Sequence, residues 1–462
     1  MHDVTIIIFG ASGDLARRKL LPALYHLART NVLTRYAIVG TARDSITAQE
    51  MVASARPYFN HADEASIAEF TQHCTYQHLD FMRLDDFQRL EQHVTALEQQ
   101  QGLAENRMLY CAAASDFYCA ITQHSAQSGL ARKHQSFGPW HRIVYEKPFG
   151  HDLQSAHAIN QCIAHYFDEL QIYRIDHYLT KELVGNIVLV RFTNILFEPL
   201  WNNRYIDSVQ IILNEQEGIG TRGTYYDTYG ALKDMMQNHM LEIVALLGME
   251  APELLTGEHI RTQRAKVLEK IHITDAVLGQ YEGYQQEPYI HPQSTTETFA
   301  AVQCMINNPR WLGVPFYLKT GKCLHRKESL IHIQFKPVHC LLTKNCPSDS
   351  NSLTIRIAPD PTFFVTLNAK QPGVLHEVLP VDMHFSHHYA LSISESHAYE
   401  VIVQEIMRGE HSIAVRFDEI ESAWRCIDAL GKNLPLHSYE KGSSGPEAAT
   451  LFAQKHSIRW RT

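Results

Sequence analysis

A histidine within an apolar helical stretch is the first candidate for chemistry in this sequence. His239 lies in the segment 227–248, at helical spacing from a row of apolar residues: Leu232, Met236, Ile243 and Leu246. A histidine in such a row is usually a hydrogen-bonded core residue, but its ordinary pKa near neutral pH also suits a general base. A base needs an orienting carboxylate. Its own helix does not obviously supply one, since Asp234 is five residues away, so Asp176 would have to come from another segment.

A pair of basic residues in the stretch RIDHYLTKE (174–182) is the second candidate. If this stretch begins a helix, His177 and Lys181 are four residues apart and share a face. Two cations on one face repel each other unless an anion lies between them, which indicates a phosphate group on a substrate. The alternative, which the pattern alone favours, is a mixed-charge helix face that Glu182 balances.

The stretch EKPFG (146–150) ends a predicted strand of the first half of the chain. Ligands of open α/β sheets bind outside the carboxyl ends of the strands. Lys147 is therefore well placed for a cofactor or a substrate, and a cis Pro148 would fix the turn. The alternative is an ordinary strand-terminating proline beside a surface lysine.

Two glycines, Gly10 and Gly13, follow the apolar run VTIIIF and open a helical pattern. A strand, a glycine turn and a helix in this order suit a phosphate, because the helix N-terminus offers N–H groups and the positive end of a dipole. The basic residues Arg17, Arg18 and Lys19 add positive charge. A glycine turn that serves only packing is an equally good interpretation of this pattern.

The second predicted strand ends in YAIVGTARD (36–44). An acidic residue about 20 residues beyond the glycines normally binds the ribose 2′-hydroxyl of NAD, whereas an arginine there can bind the 2′-phosphate of NADP. Arg43 stands just beyond the strand, so NADP is favoured over NAD, although Asp44 beside it weakens the preference. The alternative is a solvated surface arginine.

The order of predicted strands and helices that carry these residues indicates two domains. Strands alternate with helices in the first part, which is typical of a parallel, doubly wound sheet. Several strand-like runs are consecutive in the second part, which suggests an antiparallel sheet. The fold class is therefore an α/β N-terminal Rossmann-type dinucleotide-binding domain (1–175) and a larger α+β C-terminal domain with a mostly antiparallel sheet (176–462). The predicted strands are 4–9, 36–40, 107–114, 142–150, 208–213, 299–306, 330–335, 353–358 and 363–368, and the predicted helices are 14–29, 84–100, 116–129 and 227–248.

Composition excludes several classes of protein. The formal charge is −9 without a basic block, which argues against a nucleic-acid binder. The 28 histidines show no metal-binding spacing, and the nine cysteines form no CxxC, so we expect no metal and reduced thiols in a cytoplasmic protein. No apolar run approaches the ~18 residues of a membrane span, so we expect a soluble, untargeted chain.

The motifs together resemble the glucose-6-phosphate dehydrogenase family. They run in family order from residue 4 to about residue 450, and the combination of EKPFG, RIDHYL and a downstream QNH is highly specific. The remaining motifs are GASGDLARRKLLPALY, IVGTAR, YYDTYGALKDMMQNH, GVPFYLKTGK and YEKGSSGPEA. The resemblance implies oxidation of β-D-glucose 6-phosphate at C1 to the 1,5-lactone, with reduction of NADP and with NAD as a weaker alternative. It also implies a homodimer or homotetramer formed through the second sheet.

The resemblance also implies roles for individual residues. His239 would remove the C1 hydroxyl proton, and Asp176 would orient it, as carboxylate–histidine pairs do elsewhere. The substrate would be bound by Lys147, His177, Lys181, Glu215, Asp234, Lys322 and Lys327. The cofactor would be bound by Gly10, Ser12, Gly13, Asp14, Leu15, Lys19, Arg43, Asp80, Phe81 and Lys147. Thr180 and Gly185 replace the usual glycine and glutamine of the family, which leaves the phosphate affinity in question.

Two other functions fit parts of the pattern. A sugar oxidoreductase of the glucose–fructose oxidoreductase type also carries EKP at a strand end, but does not need the pair His177 and Lys181. An NADPH-binding sensor on a retired dehydrogenase scaffold would bind the cofactor after losing its base. The presence of Asp176, His239 and Lys147 gives the sensor little weight.

Overall fold

The computed structural model describes residues 3–133, 138–338, 351–373, 378–385, 395–431 and 434–461. Packing divides the chain into two compact units. Unit one comprises Met1–Thr180 with Leu254–Arg261 and Leu391–Asp418, and unit two comprises Lys181–Glu253, Thr262–Ala390 and Glu419–Thr462. The sequence analysis assigned all of 176–462 to the second domain, but two short segments of that range, Leu254–Arg261 and Leu391–Asp418, belong to unit one. The boundary after residue 175 stays a proposal.

Unit one contains a seven-stranded sheet that is parallel except at one edge. The first strand and the central strand are fully buried and mostly apolar, as expected of strands covered on both faces. In chain order the strands are β1 (Val4–Phe9), β2 (Tyr36–Ala42), β3 (Cys74–His78), β4 (Arg107–Cys111), β5 (His141–Tyr145), β6 (Ile172–Ile175) and β15 (Ala414–Val415). The spatial order is β15-β6-β5-β4-β1-β2-β3, and only β15 pairs antiparallel. The predicted doubly wound parallel sheet is confirmed.

Helices connect the strands of unit one. The predicted helix 14–29 is confirmed, with the turn Ala16–Leu20 in π conformation before α1. The strand predicted over 142–150 ends at Tyr145, so EKPFG forms a turn. The helices are α1 (Leu21–Arg29), α2 (Ala48–Ala55), α3 (Glu64–Gln72), α4 (Leu84–Gln101), α5 (Tyr118–Gln127), α6 (Leu153–Tyr166) and α11 (Glu395–Arg408).

Unit two is built on a nine-stranded, mostly antiparallel sheet, as predicted. Its spatial order is β14-β13-β12-β11-β7-β10-β9-β8-β16, and only the pairs β7/β10 and β8/β16 are parallel. The strands are β7 (Ile206–Asn214), β8 (Ile271–Tyr281), β9 (Phe299–Ile306), β10 (Pro315–Gly321), β11 (Glu328–Phe335), β12 (Ser352–Ala358), β13 (Thr362–Lys370), β14 (Val378–Phe385) and β16 (Leu436–Tyr439).

The remaining helices belong to unit two or contain a point where the chain passes from one unit to the other. They are α7 (Glu182–Thr193), α8 (Gly223–Ala231), α9 (Leu241–Gly248), α10 (Gly257–Leu268), α12 (Phe417–Asp428) and α13 (Glu447–Lys455), with the π-helix Leu232–Met240 between α8 and α9. Within the described ranges, no helix has both the length and the apolar character needed to cross a membrane.

The expectation that all thiols are reduced is wrong for one pair. Cys119 on α5 and Cys162 on α6 form a disulfide, with their Cα atoms 5.8 Å apart. They are 43 residues apart in the chain, so sequence spacing gave no reason to pair them. The other described cysteines are unpaired and buried, and Cys340 and Cys346 lie outside the described residues.

A buried ion pair joins the central sheet of unit one to a covering helix. Arg107 begins β4 and Glu98 lies near the end of α4, and each is 2% exposed. The guanidinium donates from Nε and Nη2 to the two carboxylate oxygens at 3.1 and 2.7 Å. Its Nη1 donates to the Leu130 carbonyl at 3.0 Å. A fork-to-fork pair in which Nε, Nη1 and Nη2 all donate compensates for the removal of both charges from water.

We predict that Arg107→Met destabilises the protein by about 3–5 kcal/mol, because it leaves the Glu98 carboxylate buried without a counter-charge. Urea unfolding followed by circular dichroism measures this loss. The double variant Arg107→Met/Glu98→Leu should recover most of it. Lys133→Met is the matched control, since it removes an exposed pair with Asp168 that contributes about 0–1 kcal/mol. Equal losses in Arg107→Met and Lys133→Met would contradict the assignment.

Candidate active site

The candidate residues of unit one follow four strands that lie side by side. Strands β6, β5, β4 and β1 are consecutive neighbours and all parallel. The residues after them, Gly10, Ala112, Glu146 and Asp176, therefore meet at the carboxyl edge of the sheet, where open α/β sheets bind their ligands. The structure thus brings together the glycine turn, EKPFG and the start of RIDHYLTKE.

The glycine turn requires glycine for two reasons at its first position. Gly10 has φ +89°, and a Cβ there would lie 2.8 Å from the Ala112 carbonyl oxygen. The N–H groups of Gly10 and Ala11 donate to the Thr41 carbonyl at 2.8 and 3.0 Å, which fixes the turn against β2. The helix that leads into α1 starts at Asp14. The turn therefore gives a phosphate access to the backbone at a helix N-terminus.

The basic residues after the turn do not act as a single positive cluster. Arg17 and Arg18 pair with the Asp14 carboxylate at 2.8 and 3.5 Å. Burial and the charge of Arg18 lower the pKa of Lys19, against the opposing effect of Asp14. Leu15 packs against the hydrophobic core of the unit. Asp14 therefore neutralises part of the charge that the sequence suggested for the turn.

Arg43 is exposed just after β2, which fits both a residue that reaches a ligand and a solvated surface arginine. Its guanidinium lies 5.9 Å from the centre of the Phe117 ring. The neighbouring Asp44 carboxylate accepts a hydrogen bond from the Ser12 hydroxyl at 2.5 Å. An anionic side chain is therefore tied to the glycine turn, next to the arginine that would select NADP.

The two candidates after β3 have structural partners. The Asp80 carboxylate accepts from the Met82 N–H at 3.0 Å and so stabilises the turn that follows β3. Phe81 is 6% exposed and packs edge-on against Phe9 and Phe117. The Phe81 ring is thus part of the core beneath this edge of the sheet.

Glu146 is a buried residue of this edge that the sequence analysis missed. Its carboxylate accepts from the Tyr110 hydroxyl at 2.6 Å and lies 3.0 Å from Nε2 of His177. Burial alone would raise its pKa, but the charge of His177 and the hydrogen bonds from His177 and Tyr110 hold the pKa below its ordinary value, with a smaller contribution from Lys147. An acidic residue directly after a buried strand was the signal that could have identified it.

The stretch RIDHYLTKE does not begin a helix, so the predicted geometry of His177 and Lys181 is wrong. The Asp176 carboxylate accepts from the Tyr178 N–H at 2.7 Å and forms a turn. The Thr180 hydroxyl donates to the His177 carbonyl at 2.9 Å. Lys181 is extended (φ −70°, ψ 125°), and α7 starts only after it. The two residues therefore share no helix face. In the stretch EKPFG, the peptide bond between Lys147 and Pro148 is cis, the form that the sequence analysis considered for this turn.

In unit two, the parallel pair β7 and β10 brings two candidates together. Glu215 follows β7 and Lys322 follows β10, and the Glu215 N–H donates to the Gly321 carbonyl at 2.9 Å. The Lys322 ammonium donates to the Glu215 carboxylate and lies 5.0 Å from the Tyr226 ring centre. Lys322 is only 3% exposed, whereas the Glu215 side chain is 35% exposed. Lys327, in contrast, is exposed.

The predicted helical segment 227–248 is helical in the structure, but His239 lies in a π-helical part of it. The π segment spans Leu232–Met240, and the chain bends before it at Gly230 (φ 64°, ψ −177°). His239 and Asp234 are 3% and 4% exposed, and Asp234 accepts from the Tyr225 hydroxyl at 3.2 Å. Because π-helical bonds join residues five apart, Asp234 is one turn from His239.

Glu297 holds the start of the π-helix and was also missed. Its carboxylate accepts from the Leu232 N–H at 2.9 Å, and its carbonyl accepts from the Ala231 N–H at 2.9 Å. Burial raises the pKa of Glu297, although the Leu232 hydrogen bond opposes this shift. A Cβ on Gly230 would lie 2.5 Å from its Oε1. Only a glycine at position 230 therefore leaves room for the Glu297 carboxylate at the bend.

We predict that Gly230→Ala destabilises unit two by more than the ~1–3 kcal/mol that a strained backbone alone costs, because its methyl group would displace Glu297. The matched control is Gly220→Ala, where φ is +57° but nothing lies within 4 Å of the added Cβ. Urea unfolding of both variants measures the difference. Equal losses would show that the Glu297 contact contributes nothing.

Comparisons with known proteins cover the whole chain. The family model for the NAD binding domain of glucose-6-phosphate dehydrogenase matches residues 7–186, and the model for its C-terminal domain matches residues 188–461. Glucose-6-phosphate 1-dehydrogenase of Bacillus subtilis (strain 168) is 35% identical over 480 residues, covering 98% of this chain and 97% of its own. Glucose-6-phosphate 1-dehydrogenase 5, cytoplasmic, of Arabidopsis thaliana is 37% identical over 476 residues, covering 98% of this chain and 91% of its own.

A solved structure of a glucose-6-phosphate dehydrogenase in complex with its substrate glucose 6-phosphate is similar over 100% of this chain and 99% of its own. Its TM-score is 0.91 at 31% sequence identity. Since the two family models, the relatives and this structure all match both units, the chain belongs to the glucose-6-phosphate dehydrogenase family.

Proposed function

We propose that this chain oxidises β-D-glucose 6-phosphate at C1 to 6-phospho-D-glucono-1,5-lactone and transfers the hydride to NADP. The observation that carries the proposal is the collection of the family's polar residues at strand ends, after β1, β5 and β6 in unit one and after β7 and β10 in unit two. Membership of the family over its full length excludes the alternative of a glucose–fructose oxidoreductase-type enzyme.

The residues of unit one fit a dinucleotide. A Cβ at Gly10 would fill the space beside the Ala112 carbonyl. The N-terminus of the helix that follows offers backbone N–H groups and the positive end of its dipole, which suit a phosphate. Gly10, Ser12 and Gly13 would hold the pyrophosphate, and Arg43 would bind the 2′-phosphate. The bound cofactor supplies the acceptor for the hydride.

The chain's own residues would accept the proton of the C1 hydroxyl and bind the charged phosphate of the substrate. His239 would accept the proton of the C1 hydroxyl, and Asp176 would stabilise its charged form. His177 and Lys181 would bind the 6-phosphate, which holds the sugar in one pose at a distance from C1. The paired Glu215 and Lys322 offer an acceptor and a donor that suit sugar hydroxyls.

An assay of reduced nicotinamide absorbance tests the proposal, with NADP and either glucose 6-phosphate or glucose. A rise only with the phosphorylated sugar supports the dehydrogenase. A rise with both sugars contradicts the phosphate roles of His177 and Lys181. No rise with either, despite NADPH binding, would favour the sensor.

We predict that His239→Asn lowers kcat by about 10²–10⁴-fold, the usual contribution of a general base, while NADPH binding measured by fluorescence stays near the wild-type value. His272→Asn is the control, since His272 is exposed on β8, and its kcat should not change. A normal kcat in His239→Asn would remove His239 from the mechanism.

We predict that Arg43→Ala raises KM for NADP by about tenfold or more, the effect of losing one charge-assisted hydrogen bond of about 1.5–3 kcal/mol, and leaves KM for NAD nearly unchanged. Steady-state kinetics with both cofactors measures the ratio. Asp44→Asn should change the ratio in the opposite direction, because it removes a negative charge beside the 2′-phosphate. An equal loss with both cofactors in Arg43→Ala would contradict the role.

The assembly and the location are further parts of the proposal. We expect a homodimer or homotetramer formed through the second sheet, where the outer strands β13 and β14 carry exposed apolar side chains: Leu367, Val381, Met383 and Phe385. We expect a cytoplasmic protein, like the cytoplasmic relative from Arabidopsis thaliana.

A further inference from the structure

We propose that Tyr226 is a positioning residue of the substrate site: its buried ring holds the Lys322 ammonium, which in turn fixes the Glu215 carboxylate as an acceptor for a sugar hydroxyl. The inference rests on the proposed function, since it adds a determinant of substrate binding to the same site. Tyr226, Lys322 and Glu215 all belong to unit two. The resemblance to the family gave Tyr226 no role.

The contact between the Tyr226 ring and the Lys322 ammonium is buried. Nζ of Lys322 lies 5.0 Å from the ring centre, within the ~6 Å at which the face of an aromatic ring attracts a cation. Tyr226 is 2% exposed and Lys322 is 3% exposed, so water weakens this attraction little. Burial, and after it the charge of Asp234, raises the pKa of Tyr226 well above its ordinary value, so the ring carries no charge of its own.

The core of unit two holds the Tyr226 ring in place. The ring packs edge-on against the Tyr284 ring, with the two ring centres 6.4 Å apart, and it belongs to a hydrophobic cluster with Ile219 and Leu324. The Tyr284 hydroxyl donates at 3.0 Å to the carboxylate of Asp227, the residue after Tyr226 in the chain. The ring is therefore a fixed surface that the ammonium contacts.

The main chain of Lys322 is fixed separately. Its N–H donates to the Thr298 carbonyl at 2.9 Å, and its carbonyl accepts from the Tyr439 hydroxyl at 2.8 Å. Thr298 directly precedes β9, and Tyr439 is the last residue of β16. Two strands of one sheet thus fix the backbone from which the lysine side chain extends, and the position of the ammonium depends on the contacts of the side chain.

Glu215 is the member of the pair that a ligand can reach. The Lys322 ammonium donates to Oε2 of Glu215. The Glu215 side chain is 35% exposed, whereas the Lys322 side chain is 4% exposed. A carboxylate accepts hydrogen bonds at both oxygens, so a carboxylate that meets the ammonium with Oε2 can accept from a sugar hydroxyl with Oε1.

The succession of contacts matters because a glutamate side chain has many rotamers to lose on binding. Binding that must first order this side chain is weaker than binding to a side chain already ordered. Lys322 orders Glu215, and Tyr226 orders Lys322, before the sugar binds. Loss of the Tyr226 ring should therefore weaken substrate binding and leave the chemical step unchanged, since the sugar hydroxyl is bound equally before and during the reaction.

The test compares substitutions of Tyr226 by steady-state kinetics at one neutral pH. Tyr226→Phe keeps the ring, so KM for glucose 6-phosphate should stay near the wild-type value. Tyr226→Leu removes the ring, and we expect KM for glucose 6-phosphate to rise about five- to thirtyfold, the effect of losing one buried contact between a cation and a ring. The value of kcat and KM for NADP should stay near wild type in both variants.

Tyr281→Leu is the matched control. Tyr281 is 1% exposed in the same hydrophobic cluster, and the Lys441 ammonium lies 4.9 Å from its ring centre. The substitution thus removes an equally buried ring and a comparable lysine contact, but Lys441 pairs with Glu287 at 3.0 Å. We expect KM for glucose 6-phosphate to stay near the wild-type value in Tyr281→Leu.

A double variant checks that Tyr226 acts through Glu215. In a Glu215→Ala background, Tyr226→Leu should lower kcat/KM for glucose 6-phosphate no further, because the carboxylate that it positions is absent. Effects of the two substitutions that simply add would show that Tyr226 acts independently of Glu215, and would overturn the inference.

An unchanged KM in a folded Tyr226→Leu enzyme would also overturn the inference, as would an equal rise of KM in Tyr226→Phe or in Tyr281→Leu, or a loss of kcat without a change in KM. If Tyr226→Leu does not fold, Tyr226→Met decides, since its flexible side chain fills irregular spaces in a core; the same rise of KM is expected, and an unchanged KM would overturn the inference. A wild-type protein without activity on glucose 6-phosphate would refute the proposed function and the inference with it, whereas unchanged variants of an active enzyme would refute the inference alone.

Discussion

Parallel strand pairing is the constraint on which the rest of the structure depends. Parallel neighbours end at the same edge, so β1, β4, β5 and β6 bring residues that are far apart in the chain to one line. In unit two, β7 and β10 are parallel neighbours within a mostly antiparallel sheet, in which β8 and β16 are the other parallel pair. Between antiparallel neighbours, residues after the two strands would lie at opposite edges. Glu215 and Lys322 meet only because this one pair runs in the same direction.

The two ends of the sheet in unit one use buried charge differently. Arg107 begins β4 and is fully matched by Glu98, with no ligand-facing role left for either group. Glu146 follows β5 at the opposite end, and it pairs with His177, whose side chain is 28% exposed. Both pairs compensate for the cost of removing charge from water. Of these two pairs, only the one at the carboxyl end leaves its basic member partly exposed, and it lies at the edge where open α/β sheets bind their ligands.

Local sequence patterns predicted what local forces determine. Apolar runs and the glycine turn indicated β1, β2 and the helix after Gly10, because burial and backbone angles are decided within a few residues. The helix that would have put His177 and Lys181 on one face does not form, since one hydrogen bond from Tyr178 N–H to Asp176 turns the chain instead. Glu146 and the Cys119–Cys162 disulfide were missed because their partners are remote in sequence.

The π-helix begins where a residue from outside the helix, Glu297, contacts its backbone. An α-helix over 227–248 would place Asp234 and His239 on different faces, whereas π bonding sets them one turn apart. The wider turn begins where Gly230 bends the chain and Glu297, two residues before β9, accepts from the Leu232 N–H. Burial raises the pKa of Glu297, because the charged carboxylate is removed from water. The hydrogen bond from the Leu232 N–H offsets part of this cost. A glutamate next to a strand thus contacts the surroundings of each candidate histidine: Glu146 lies 3.0 Å from Nε2 of His177, and Glu297 accepts from the backbone at the start of the π-helix that contains His239.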